Sequence, residues 1–231
     1  MNLGGLQKLT LIDYPGKIAA TVFTAGCNFC CPFCHNPELV DPQKIKKQPR
    51  VSETDFFDFL AARQGMLEGV CIGGGEPTLQ PDLPEFVKKI KGIGYLVKLD
   101  TNGSNPGMLE QLLNEKLVDY VAMDIKAPLE KYKKVVGGDV SLEQIQRSVE
   151  LTCLFPDYEF RTTVLPRLHT RKDLLSIGRW LEGSKKYFLQ QFEPTKCLDS
   201  TYRQEKPFDF DKLVKICNTL KIFFDKCEIR E

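Results

Sequence analysis

Six short runs of β-branched and apolar residues recur along the chain, each followed by a stretch of helical period, and this rhythm restricts the fold more than any other feature. The runs are IAATVFTAG (18 to 26), GVCIGGGEP (69 to 77), YLVKLDTNG (95 to 103), VDYVAMDIKAP (118 to 128), YEFRTTVLP (158 to 166) and KYFLQQFEP (186 to 194). All six read as strands. The intervening segments carry helix start signals. Ser52 opens SETDFFDFLAAR, Pro84 opens PEFVKKIKGIG, and Asn105-Pro106 precedes Leu109, Leu112 and Leu113. Ser141 with Gln144, and Thr170 with Asp173, have the spacing of capping boxes. A final helix is expected over DFDKLVKICNTLKIFF. Crossover helices join parallel strands, so the pattern implies an α/β fold with a parallel sheet and outer helices. Six units fall short of a closed eight-stranded barrel. A partial (βα)6 barrel with a curved, open sheet is expected in preference to a flat doubly wound sheet, and in either case function belongs at the C-terminal ends of the strands.

The unusual residues of the sequence gather at those ends. Cysteines follow the first run, GGGEP ends the second, DTNG the third and DIK the fourth, while Arg161 lies within the fifth and Gln190-Gln191 within the sixth. One rim collects them all. Lysine plus arginine (32) nearly balances aspartate plus glutamate (31), so no strong field draws the chain to nucleic acid or an anionic membrane. No run of 18 apolar residues occurs and neither a signal peptide nor a membrane span is expected, so a cytoplasmic protein is expected. In a reducing compartment nine cysteines point to metal before disulfides. Cys71, Cys153, Cys197, Cys217 and Cys227 are scattered and read as packing thiols.

Four cysteines fall within GCNFCCPFCHNP. A four-cysteine zinc site built from Cys27, Cys30, Cys31 and Cys34 is disfavoured, because neighbouring side chains in a loop point apart and such sites draw their pairs from separate segments. The bacterial ferredoxin spacing does not match either. Setting Cys30 aside leaves Cys27-x3-Cys31-x2-Cys34, and three thiolates leave one iron of a four-iron, four-sulfur cluster open. With Phe33 before the third cysteine, this motif resembles that of the radical S-adenosylmethionine enzymes.

That resemblance implies one 4Fe-4S cluster per chain on Cys27, Cys31 and Cys34, with S-adenosylmethionine chelated at the open iron and cleaved by one electron. Gly74, Gly75 and Glu76 match the family's GGE motif and imply cofactor contact through a side-chain-free strand end. A DTNG-like and a D-x-K strand end are similar to those of the glycyl-radical activating enzymes, which carries cofactor contact to Asp100, Thr101, Asp124 and Lys126. Lys126 also stands with the three cysteines in the catalytic set. In some members, carboxylates at these places hold a monovalent cation. Arg161 and Gln191 complete the expected cofactor shell. Cys30 is read as a bystander, His35 as a loop hydrogen-bonder and His169 as a residue before a helix cap. The lysines of KYKKVV and QKIKKQPR are read as solvated surface. The resemblance covers nearly the whole chain, read as one radical-SAM domain over 1–231, with an N-terminal extension (1–17), barrel strands and helices (18–194), and a loop with the C-terminal helix (195–231).

LTLIDYPGKIAATVF, CHNPELV and YEFRTTVLPRLHT together look like the activating proteins of anaerobic ribonucleoside-triphosphate reductase. The implied partners are a glycyl-radical enzyme that gives up a hydrogen atom from one glycine, and a one-electron donor such as flavodoxin or ferredoxin. No further CxxC pair follows residue 34, so the ferredoxin-like insert of other activases is not expected. Two alternatives stand beside this reading. One is a small-molecule radical enzyme resembling 7-carboxy-7-deazaguanine synthase, which needs a polar pocket for a heterocycle. The other is a non-catalytic iron-sulfur or zinc module, indifferent to S-adenosylmethionine.

Overall fold

A computed structural model describes residues 1–230 and places eight strands in one sheet whose spatial order follows the chain, β1 to β8. The elements run β1 (Leu3–Thr10), β2 (Ala19–Thr24), α1 (Pro37–Val40), α2 (Pro42–Ile45), α3 (Glu53–Ala61), β3 (Gly69–Gly74), α4 (Leu83–Ile93), β4 (Leu96–Thr101) and α5 (Pro106–Asn114). They continue with β5 (Tyr120–Asp124), α6 (Tyr132–Val136), α7 (Leu142–Thr152), β6 (Asp157–Val164), α8 (Arg171–Trp180), β7 (Ser184–Gln191), α9 (Phe210–Leu220) and β8 (Phe224–Arg230). Strand β1 is antiparallel to β2, and every later pair is parallel. Sequential order with crossovers of one hand puts the helices on one face and curls the sheet around the other. The sheet remains open, since among the described residues β1 and β8 end it without pairing to each other.

All six expected strands form, and two more flank them. The last helix stops at Leu220, short of the expected end, and the chain continues through a 3-10 turn into β8. Phe224, Cys227 and Ile229 give β8 its partly alternating apolar residues, and it pairs with β7 from Ser184↔Phe224 to Gln190↔Arg230. Strand β1 was hidden by Gly4 and Gly5, because glycine weakens a strand signal. The start signals are realised locally. The side chains of Ser52, Asn105, Ser141 and Thr170 each accept from a backbone N–H of the first turn, and Thr170 with Asp173 completes a reciprocal capping box. Helix α4 runs through Gly92 and stops at Gly94, which takes φ +102°.

Alternation along the strands sorts the residues into two environments. Val22, Val70, Ile72, Val97, Leu99, Val121 and Met123 join the helices in the main apolar cluster. The opposite parity carries Thr21, Cys71, Lys98, Asp100, Asp124 and Arg161 into the concave side. Tyr14, Ala19, Tyr120 and Ala122 form a small separate apolar plug there, with the two tyrosine rings 5.9 Å apart. Among the described residues no helix is long and apolar enough to cross a membrane.

Strand β8 also contributes to the concave side. Glu159 on β6 is fully buried and accepts from Arg230 Nη1 at 2.6 Å, Arg230 Nη2 at 2.7 Å and the Tyr120 hydroxyl at 2.6 Å. Truncating Arg230 removes the bidentate partner of a buried carboxylate. The Arg230→Met protein is expected to lose about 2 kcal/mol in a urea melt, below the roughly 3–5 kcal/mol of a fully buried pair, because the arginine side chain is 31% exposed. An unchanged midpoint would show that β8 is not held by this pair.

Candidate active site

The C-terminal ends of the strands surround a cavity of ≈ 250 Å³ whose wall includes Cys27, Cys31, Cys34 and the ends of β3, β4 and β5. The cysteine loop leaves β2 and is tied down by backbone hydrogen bonds from several directions. Gly26 N–H donates to Leu39 at 2.8 Å, Glu76 N–H to Gly26 at 2.8 Å, Cys30 N–H to Val136 at 3.0 Å and Asp199 N–H to Pro32 at 2.9 Å. This anchoring turns three sulfurs toward the cavity and leaves Cys30 exposed. Phe29 and Phe33 are buried beside them. Burial pushes the Cys27 thiol up to about 11 and the Cys31 thiol up to about 12, and it raises Cys34 as well. Metal loading would therefore release protons from these thiols. Among the described residues no three His, Cys, Asp or Glu side chains lie close enough to share one ion. Three cavity-facing thiols with Cys30 turned away fit a polynuclear iron-sulfur group held by Cys27, Cys31 and Cys34.

The glycines of GGGE are required first by packing. Gly74 has φ +109°, and a Cβ there would sit 2.6 Å from backbone atoms of Thr24, while one at Gly75 would sit 2.1 Å from the Gly26 carbonyl. The end of β3 thus lies directly against the cysteine loop. Glu76 is fully buried and accepts from the Thr78 N–H (3.1 Å) and hydroxyl (2.5 Å), the Thr101 hydroxyl (2.7 Å) and the Asn102 N–H (2.6 Å). It braces the end of β3 against the end of β4. Asn102 extends the brace, its side-chain amide donating to Asn28 Oδ1 at 3.1 Å and approaching Cys27 Sγ at 3.8 Å.

A row of alternating charges runs along the cavity floor from Lys98, which is buried behind it. Lys98 Nζ pairs with Asp100 Oδ1, and Asp100 Oδ2 accepts from Arg161 Nη1 at 3.2 Å. Arg161 Nε then donates to Asp124 Oδ1 at 2.9 Å, and Asp124 Oδ2 accepts from Lys126 Nζ at 2.9 Å. Burial alone would raise Asp124, but Arg161 and Lys126 hold its carboxyl well below the usual carboxylate range. Asp100 is likewise lowered against burial by Arg161 and Lys98. Every oxygen of the two carboxylates already has a cationic partner from the chain, so a monovalent cation would share those oxygens with Lys98, Arg161 or Lys126.

His169 locks the strand end that carries Lys126. Leu165 N–H donates to its Nδ1 at 3.2 Å, which leaves Nε2 as the protonated nitrogen, 2.8 Å from the Lys126 carbonyl. Burial lowers the histidine's pKa and keeps the ring neutral for that task. His35 faces the cavity, 5.5 Å from the Phe192 ring.

Most of the expected residues converge here: Cys27, Cys31, Phe33, Cys34, Gly74, Gly75, Glu76, Asp100, Thr101, Asp124, Lys126 and Arg161 all line the cavity. Gln191 does not. Its amide donates to the Phe208 carbonyl at 2.7 Å, and strand alternation turns Gln190 into the cavity instead. Lys98 escaped the sequence reading because a lysine inside an apolar strand resembles an edge residue, although K-x-D ending β4 mirrors D-x-K ending β5. Asp13 was also missed. It reaches the cavity from the loop after β1 and accepts from the Thr21 hydroxyl at 2.5 Å.

The family described as the Radical SAM superfamily matches residues 21–171. A Methanocaldococcus jannaschii protein named as a glycyl-radical enzyme activating enzyme is 34% identical over 235 residues, covering 99% of this chain and 95% of that protein. A Pyrococcus abyssi protein named as a GTP 3′,8-cyclase is 30% identical over 216 residues, 84% of this chain and 69% of that protein. Among solved structures, native anSMEcpe with bound AdoMet superimposes with a TM-score of 0.61 at 17% identity, over 89% of this chain and 61% of that one.

Two measurements test the site. After anaerobic reconstitution, Cys30→Ala protein should retain the iron content of the parent and Cys31→Ala protein should not; equal iron in both would remove Cys31 from the ligand set. Lys98→Met leaves the half-buried Asp100 carboxylate short of a cation, which destabilises the fold while Asp100 is ionised. Asp100 has a lowered pKa in the fold, so its contribution is present above an ordinary aspartate's 3.8 and is lost as pH falls through the lower folded value. The urea-melt deficit of Lys98→Met should therefore be largest at neutral pH and shrink in acid; a deficit constant with pH would disconnect Lys98 from Asp100.

Proposed function

The chain belongs to the radical SAM superfamily, and within it to the glycyl-radical activating enzymes, from which we propose that it takes a hydrogen atom from one glycine of anaerobic ribonucleoside-triphosphate reductase. The observation that carries this reading is a match to an activating enzyme from end to end of both chains, together with LTLIDYPGKIAATVF and YEFRTTVLPRLHT in the sequence. Members of the family use a 4Fe-4S cluster and S-adenosylmethionine, which supply one-electron cleavage of a sulfonium and, from it, hydrogen-atom abstraction.

The residues divide the work by charge and position. Cys27, Cys31 and Cys34 would hold the cluster and leave one iron without a protein ligand. Arg161 and Lys126 present cations suited to the cofactor's carboxylate, while Asp100 and Asp124 present the anionic oxygens that its ammonium and sulfonium need. Because the row is already internally paired, a zwitterionic cofactor exchanges partners with it without leaving a buried charge alone. Glu76 and Thr101 keep the ends of β3 and β4 at fixed separation, and His169 fixes the backbone of Lys126. Phe29 and Phe33 back the sulfurs with apolar packing on the protein side.

The decisive experiment incubates the reduced, reconstituted chain anaerobically with S-adenosylmethionine and the source organism's anaerobic ribonucleoside-triphosphate reductase. A glycyl doublet in the electron paramagnetic resonance spectrum, dependent on both, is the expected outcome. A second reading is favoured by the likeness to a GTP 3′,8-cyclase. Consumption of GTP or of a pterin without any glycyl signal would replace the activase reading with that of a small-molecule radical enzyme, the class that also includes the 7-carboxy-7-deazaguanine synthase alternative.

A further inference from the structure

We infer that the outer edge of β1, with the groove beside it, is where an extended polypeptide segment of the glycyl-radical partner docks on its way to the cavity. This rests on the activase reading and adds the route by which the glycine arrives. Three independent observations converge on it.

The first is an unpaired strand edge. β1 ends the sheet, and beyond its pairing with β2 its only bridge is Leu3↔Val51, so among the described residues Gly4 to Thr10 face no further strand. An open edge presents backbone N–H and C=O groups to any extended chain of complementary direction. The second is an adjoining cavity. A second cavity, also of ≈ 250 Å³, is lined by Gly4, Gly5 and Gln7 of β1 and by Gln48, and it shares Phe23 and Asn36 with the cavity that holds the cysteines. The groove floor at Gly5 is bare backbone. A Cβ at Gly5 would meet only Phe23, at 3.5 Å and beyond, so the space is empty because the residue is glycine and not because the fold forbids a side chain.

The third is chemical. Neutral amides (Gln7, Asn36 and Gln48) line this groove, and its one charged group is the Glu38 carboxylate. A nucleoside triphosphate needs cations there and would meet none, whereas a peptide backbone is matched by amides and an open strand edge. Farther along the same edge Leu9 and Leu11 are 57% and 69% exposed, and Ile12 is 83% exposed. Such an exposed apolar cluster suits a protein surface and not a small ligand. The register irregularities near the two ends of β1, at Leu3/Gly5 and Gln7/Thr10, twist the strand and limit the length of partner backbone that can pair.

The test fills the groove from its floor. Gly5→Ala and Gly5→Leu proteins are reconstituted and compared with the parent in two assays. One is release of 5′-deoxyadenosine from S-adenosylmethionine with dithionite and no partner, and the other is glycyl-radical yield in each glycyl-radical enzyme of the source genome. Gly5→Leu should retain cofactor cleavage within about twofold while radical yield in the partner falls at least tenfold, with Gly5→Ala intermediate. Should Gly5→Leu fail to hold iron, Gln48→Trp on the facing wall is measured the same way. Undiminished radical yield in a filled groove overturns the inference, as does a parallel loss of cleavage and yield in protein with full iron. If the unsubstituted chain radicalises none of the enzymes, the activase reading itself falls and the docking assignment falls with it.

Discussion

Five charged side chains in alternating order, Lys98, Asp100, Arg161, Asp124 and Lys126, impose the condition that the rest of the site satisfies. Charges removed from water must be paired, and in this concave interior the pairing runs sideways from strand to strand. The parallel register makes that possible, since it sets Asp124 opposite Arg161 and Asp100 opposite Ala122 on neighbouring strands. The small Ala122 leaves the room through which Arg161 can reach Asp100. Lys98 has one residue between itself and Asp100, and Lys126 one between itself and Asp124, so both pairs close the row within a single strand end.

The sequence was legible where local chemistry and tertiary role agree. Ser52, Ser141 and Thr170 accept first-turn hydrogen bonds where their spacing says they should, and the six apolar runs are strands whose helix-facing residues enter the main apolar cluster. It was less legible where context overrides composition. Gly4 and Gly5 conceal β1, whose pairing to β2 is decided by the sheet and not by its own propensity. Gln190 and Gln191 are identical side chains one position apart. Only the register Thr163↔Gln190 decides which of them faces the cavity.

Glycine meaning also changed with the structure. In GGGE, side-chain-free positions suggested room for a ligand, yet the backbone of Thr24 and Gly26 lies so close to Gly74 and Gly75 that a Cβ at either would fall well inside contact distance. Glu76 similarly has four donors on it from the protein itself. The motif is a fastening between two strands and the cysteine loop, and it fixes where the sulfurs stand relative to the charged row. Lys98 and Asp13 were invisible for the complementary reason. Nothing local distinguishes an inward-facing lysine or a loop aspartate until the sheet curls around them.

The match between spatial order and chain order has a consequence for synthesis. Each strand pairs with the one made just before it, and no gap between neighbours awaits a later segment. A nascent chain can therefore lengthen its sheet progressively while still on the ribosome, one crossover closing at each addition with no rearrangement of pairs already made.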